Sequence, residues 1–250
     1  MPRLRTATPG NPPDLVIRRL SRFAPLADNE RALLRGMTEQ TREVPMGQCL
    51  VAEGEKLDNA RLLLGGWACR MRTFPDGRRQ IFEFLLPGEM YGLCMRPQAV
   101  SLATVITLTP AVIADAQPLK DVLCEKKSAY PNLAAALHIA QGMDEAHLLN
   151  QLIRIGRQSA YERVAHLILE LRERLMNVGL ATNETLPVPL TQEMLADALG
   201  LSIVHLNRTL QQLRRENLIQ FRSGLMRLLA PDRLAEIANF HSAKVTKAAA

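Results

Sequence analysis

At 250 residues, with apolar side chains at 47% and charged ones at 22%, the chain has material for one large or two ordinary domains, each with its own core. Lys and Arg outnumber Asp and Glu by 31 to 25, and the resulting net charge of +6 permits a polyanionic partner. No apolar run approaches the length that spans a bilayer, so no membrane partner is expected.

The first 14 residues carry Arg3 and Arg5 but no apolar stretch behind them, and Pro2, Pro9, Pro12 and Pro13 break any regular structure. That pattern predicts a disordered arm rather than a signal peptide, and hence a cytoplasmic protein. Residues 15–43 place Leu20, Phe23, Leu26, Leu33 and Leu34 at helical spacing, a short helical lead-in. From Val44 the period changes. Short apolar stretches at 44–50, 61–64 and 67–74 are separated by Gly54-Glu55 and Gly65-Gly66. Pro75-Asp76-Gly77 is a hairpin turn leading into 79–85, Pro87-Gly88 ends that strand, and 101–109 is a β-branched run. Many short strands at even spacing predict an antiparallel jelly roll over residues 15–130. The four cysteines, Cys49, Cys69, Cys94 and Cys124, stand singly, with no CxxC and no His at ligand spacing. They are expected to be small buried apolar residues, with no metal and no cofactor.

Beyond Pro131 the chain is helical. Ala136, Ile139, Met143, Ala146 and Ile153 recur in steps of three and four, and Asn150 falls between the last two. This is a coiled-coil seam, which predicts a dimerisation helix over 131–156, with Leu133, Leu137 and Leu148 turned toward the barrel. An intramolecular core would use the same spacing. Gly156 interrupts the helix, and Ser159-x-x-Glu162 is a capping box that starts another near Ala160. The boundary of a C-terminal domain, 157–240, is drawn at this hinge, and residues from His241 onward are expected to fray.

Residues 191–217 carry the densest information. Thr191 caps a short helix over 192–198, and Gly200 permits a sharp turn. Ser202 then caps a second helix over 203–216, while Leu195, Leu199, Leu201 and Leu206 supply the apolar contact between the two. This is a helix-turn-helix, whose second helix belongs in the major groove of DNA. Ser223-Gly224 joins 218–222 to 225–229 as a two-stranded wing. Arg208, Arg214, Arg215, Arg222 and Arg227 stand against one acid, Glu216, between 203 and 227. A plain helical hairpin explains the leucines but not this concentration of charge, which suits phosphate neutralisation.

The chain resembles the Crp/Fnr superfamily of bacterial regulators from about Leu20 to Leu229. The resemblance is carried by VPMGQCLVAEGE (residues 44–55), GWACRMRTFPDGRRQIFEFLLPGE (66–89) and the helix-turn-helix. It implies an α+β architecture: an antiparallel jelly roll of cyclic-nucleotide-binding type, a long dimerisation helix and a C-terminal winged helix-turn-helix. It also implies a homodimer on double-stranded DNA at an inverted repeat, with RNA polymerase as a further partner. Arg208 matches the arginine with which the family reads guanine, and Val204 stands where Glu is common. Base contacts are therefore assigned to Ser202, Val204, His205 and Arg208. Thr191, Gln192, Arg214, Arg215, Arg222 and Arg227 are assigned to phosphates, and Ile139, Met143, Ala146, Asn150 and Ile153 to the dimer interface. Members that bind cyclic AMP carry a Gly-Glu pair on the ribose and an Arg-Ser pair on the phosphate. Here Leu93 follows Gly92, and residues 100–109 hold no Arg or Lys, so cyclic AMP is not the expected effector. Oxygen-sensing members have an N-terminal cysteine cluster, whereas residues 1–48 contain no Cys.

Two other functions compete. An enzyme on a cupin-like barrel needs His and carboxylate ligands on its strands, but the five histidines all lie beyond residue 137. No catalytic motif is present, and the protein is expected not to be an enzyme. A ligand-binding module acting on another protein shares the barrel but has no use for the helix-turn-helix and its arginines.

Overall fold

The computed structural model describes residues 12–124, 129–243 and 245. Two helices, α1 (Pro12–Ser21) and α2 (Asp28–Met37), lead into the barrel. Helix α1 takes in the prolines at 12 and 13 and Asp14, which the sequence assigned to a disordered arm; residues 1–11 of that arm lie outside the described residues. Proline suits the first helical turn, where an amide has no acceptor in any case.

Eight strands form two antiparallel sheets: β1 (Thr41–Val44), β2 (Cys49–Val51), β3 (Arg61–Gly65), β4 (Ala68–Thr73), β5 (Arg79–Leu85), β6 (Met90–Tyr91), β7 (Thr104–Thr107) and β8 (Ala111–Asp115). Their orders are β1-β8-β3-β6 and β2-β7-β4-β5, the expected double-sheet barrel. Residues 41–43 are strand, not the end of the helical lead-in, because their ladder with Ala114–Val112 decides over local spacing. The same partner, β8, was missed, since Pro110 ahead of it reads as a turn. The barrel interior is closed by Val44, Val51, Leu63, Leu85, Val105 and Ile113. Only Cys69 is fully buried among the cysteines; Cys49 and Cys124 are exposed and Cys94 half-buried, contrary to the expectation of four core residues. Burial pushes the Cys69 thiol up to about 12.

Helix α3 (Gln117–Cys124) precedes α4 (Pro131–Arg157), the long helix the apolar spacing predicted. Its first turn is anchored by buried Glu30 of α2, whose Oε1 accepts from the Leu133 amide at 2.8 Å. Leu133 and Leu137 face the barrel as expected, joined there by Ala136, which the seam had claimed. Leu148 does not follow them: it is 40% exposed, with Leu149 (53%), Leu152 (62%) and Ile153 (52%). Ile139, Met143, Ala146 and Asn150 lie half-buried on the flank, and Asn150 donates to Glu170 at 3.2 Å. The open apolar stripe of α4 is thus offset from the predicted one. Leu152 stands four residues after Leu148 and three after Leu149, spacings that the predicted seam also uses, so period alone does not decide between the faces.

Helix α4 ends at Arg157, and α5 (Ala160–Asn177) starts with the predicted capping box. Beyond it come β9 (Thr185–Pro187), α6 (Gln192–Leu199), α7 (Ile203–Arg215), β10 (Ile219–Arg222), β11 (Leu225–Leu228) and α8 (Pro231–Ala238). Pairing of β9 with β11 makes the wing three-stranded where two strands were expected. The first residues of the supposed frayed tail are packed: the Ser242 hydroxyl bonds Glu173, and Val245 lies against Gly142. One apolar cluster runs from Trp67, Ile81 and Phe84 through α5 to Leu206 and Leu210, so the hinge at Gln158 separates helices without separating cores.

Charges bind these parts in the interior. Arg174 of α5 donates to Glu89 beyond β5 at 2.6 Å and to the Phe84 carbonyl at 2.6 Å. Arg154 of α4 bonds Glu170 of α5 at 2.8 Å. Burial acts to raise both carboxylates, but Arg174 beside Glu89 and Arg154 beside Glu170 outweigh it and hold each down at about 2.

Removing one partner leaves a buried charge alone, so Arg174→Met should lower stability by about 3–5 kcal/mol in urea denaturation. Depressed carboxylates contribute stability that is complete above their ordinary range, near 4.5, and lost as the pH falls toward 2. Glu170→Gln should therefore melt lower than the parent at pH 7, and the difference should shrink between pH 4.5 and pH 2.

Candidate nucleic-acid interface

Helix α6 is started by Thr191, whose hydroxyl accepts from the Met194 amide at 3.2 Å. It stops at Gly200, in the left-handed conformation at φ 63° and ψ 37°, with its amide on the Ala196 carbonyl. Few residues but glycine hold that backbone without strain. Ser202 then caps α7 by accepting from the His205 amide at 3.2 Å. Leu206, Thr209, Leu210 and Leu213 bury the inner face of α7 against α5 and α6.

The outer face is open. Val204 is 63% exposed, and Ser202, His205 and Arg208 are exposed with it, so the four predicted base-reading residues sit together at the amino-terminal half of α7. Val204, Arg208, Gln211 and Arg215 follow one another at intervals of four, three and four, a single stripe along the helix. Gln211 was missed by the sequence reading, although its spacing from Val204 marks it. Arg214 falls off this stripe, toward the side of Ile203 and Asn207.

The wing extends the positive surface. Ser223 and Gly224 both have positive φ, 49° and 75°, the pattern of a tight two-residue hairpin. Arg222 is placed opposite Leu225 at that turn. Among the described residues, Arg208, Arg214, Arg215 and Arg222 form no ion pair and donate no hydrogen bond to the protein, while Arg227 pairs with Glu184 at 3.3 Å on the surface. Thr191 and Gln192 are exposed at the start of α6, where helix amides point outward.

The helix-turn-helix is not free of the barrel. Arg79, at the start of β5, reaches Asp197 at 2.8 Å and Glu193 at 2.7 Å. Gln80 donates to the Asp197 carbonyl at 3.0 Å, and Gln151 of α4 bonds the Ala198 carbonyl. None of these links was legible in the sequence.

A two-sheet barrel, a long helix and a winged helix-turn-helix in that order define an effector-domain transcription regulator. The comparisons agree. Residues 41–117 match the cyclic nucleotide-binding domain model, and residues 162–237 match the Crp-like helix-turn-helix domain model. The nitrogen fixation regulation protein FixK of Rhizobium meliloti is 30% identical over 194 residues, covering 77% of this chain and 84% of that protein. A CRP-like cAMP-activated global transcriptional regulator of Mycobacterium tuberculosis is 26% identical, covering 82% of this chain and 92% of that one. The structure of FixK2 from Bradyrhizobium japonicum shares the fold with a TM-score of 0.69 at 22% identity, covering 81% of this chain and 98% of that one. The protein belongs to the Crp/Fnr family of DNA-binding transcription regulators, which are not enzymes. No helix among the described residues is long and apolar enough to cross a membrane.

The residues present do not fit the ligand for which the first domain model is named. The barrel interior is filled by aliphatic side chains and Tyr91. Residues 100–109 bring no cation, and the buried Ser101 hydroxyl is already committed to the Ala103 carbonyl at 2.6 Å. A phosphate diester there would lack its counter-charge.

Proposed function

We propose that this cytoplasmic regulator acts as a homodimer on an inverted-repeat operator, with domains divided as 15–130, 131–156 and 157–240, and does not respond to cyclic AMP. The observation that carries the DNA reading is the open face of α7 with the wing beside it: Arg208, Arg214 and Arg215 on the helix and Arg222 on β10 have no internal partners, and a cap and stripe leave Ser202, Val204, His205 and Arg208 exposed. Arg208, two turns into the helix, is long enough for a bidentate contact to guanine, and Val204 suits a thymine methyl. Thr191, Gln192, Arg214, Arg215, Arg222 and Arg227 serve the phosphates, with Arg227 exchanging Glu184 for DNA. Gln211 joins the base-reading group through its place on the stripe. RNA polymerase contact follows from family membership.

Support for the dimer comes from Leu148, Leu149, Leu152 and Ile153, an apolar stripe with no partner among the described residues of this chain. A second copy of α4 offers the same stripe, and twofold pairing buries both. On this reading Ile153 is central to the interface, and Ile139, Met143, Ala146 and Asn150 border it. Leu152→Glu should place an unpaired carboxylate there and yield a monomer in light scattering at micromolar concentration; an unchanged dimer mass would remove α4 from the interface.

The two classes of DNA contact should fail differently. Arg208→Ala should cost about 1–3 kcal/mol on the operator and relax preference at one base pair per half-site. Arg222→Ala should weaken all sequences alike and lower the salt slope by about one. Selection from a randomised operator library at two salt concentrations reads both effects. An unchanged consensus for Arg208→Ala, with an altered one for Arg222→Ala, would reverse the assignment. Calorimetric titration with cyclic AMP should give no heat of binding at micromolar nucleotide.

A further inference from the structure

Between β5 and α4 three side chains converge that the DNA-binding face does not account for. Asp144 and His147 stand three residues apart on one face of α4, and Glu83 of β5 faces them. One ligating atom from each lies within 4.8 Å of those of the other two. Two of the three are more than nine-tenths buried, and both are short of partners. His147 Nδ1 has no hydrogen-bond partner, and neither oxygen of Glu83 accepts a hydrogen bond. The nearest cations to Glu83 are Arg70 at 3.1 Å and Arg174 at 3.7 Å; the nearest to Asp144 is Arg19 at 3.8 Å. Arg174 is spent on Glu89, and the contacts of Arg19 are long.

Buried polar atoms without hydrogen-bond partners are costly, and one metal ion would engage Glu83 and His147 together with Asp144. We infer that Glu83, Asp144 and His147 form a site for a first-row divalent transition metal that ties the barrel to the long helix. One imidazole and two carboxylates suit Fe²⁺, Mn²⁺ or Zn²⁺, whereas Mg²⁺ and Ca²⁺ favour oxygen alone. Two small cavities border His147, one lined also by Glu83, Gln151 and Glu170 and the other by Met143 and Arg19. No spacing rule finds this site in the sequence, because Glu83 is brought to the helix only by the docking of β5.

The test uses the full chain, stripped with a chelator and titrated with Co²⁺ and with Zn²⁺, without DNA. One equivalent per chain should bind, Co²⁺ should develop visible ligand-field bands, the melting temperature should rise, and Mg²⁺ should do none of these. Asp144→Asn, isosteric and at a half-buried position, should weaken Co²⁺ binding at least about tenfold, as should His147→Gln; His138→Gln, on the exposed part of the same helix, should not. Undiminished binding by both of the first two variants, or no binding by the parent, overturns the site. Should both variants fail to fold, anomalous diffraction from a zinc-soaked crystal of the parent decides by the presence or absence of a peak between β5 and α4. Because no readout involves DNA, failure here leaves the reading of α7 intact, and failure of that reading leaves this site standing.

Discussion

Arg174 holds the molecule's parts in register. Its guanidinium projects from α5, the first helix after the hinge, into the turn that follows β5, where it meets Glu89 and the Phe84 carbonyl. An arginine buried to this degree is tolerable only when every donor finds an acceptor at good geometry, so the pair fixes distance and angle between α5 and the barrel. Arg154 and Glu170 do the same between α4 and α5. Apolar packing alone would let these surfaces slide; the charged pairs select one arrangement. That role does not require them to add net stability over an apolar core, only that breaking them costs more than keeping them.

The DNA-binding face depends on this indirectly. A helix that reads bases must present charge that is not consumed by its own protein, and α7 meets the condition: its acid, Glu216, is engaged by Tyr161 and Gln212 at the carboxyl end, away from Val204 and Arg208. The hydrogen bonds to Glu216 hold its carboxyl below the ordinary range, so its charge stays beside Arg215 and away from the amino-terminal half of α7. Leu206, Leu210 and Leu213 lock the opposite face. On the proposed assignment, affinity through phosphates and selectivity through bases can be altered separately.

Much of this was legible because it is local. Thr191, Ser159 and Ser202 cap the helices they were expected to cap, Gly200 turns where it was expected to turn, and Pro75-Asp76-Gly77 makes its hairpin. In each case neighbours in sequence supply the whole interaction. What failed depended on distant partners. Residues 41–43 became strand because β8 lay ready to pair, and β9 joined the wing for the same reason. Leu148 was expected to turn toward the barrel because α4 has two apolar faces, and only the barrel's position tells which is covered. Glu83, Asp144 and His147 were invisible for the same cause: two lie on one helix, but the third arrives with the sheet.

The links between β5 and α6 show what the barrel contributes to DNA binding when its interior is filled. Arg79 grips Glu193 and Asp197, and Gln80 and Gln151 hold carbonyls at the carboxyl end of α6. Helix α6 packs directly on α7, so the direction of α7 relative to α4 is set by the barrel surface as much as by the hinge at Gln158. In a dimer joined along α4, that direction fixes the separation of the two recognition helices, and operator half-sites must lie about one helical turn apart to receive both. The barrel thus meets the DNA-binding domain through two sets of polar contacts, those of Arg79 with α6 and those of Arg174 of α5 with Phe84 and Glu89. Both begin on the same strand and turn.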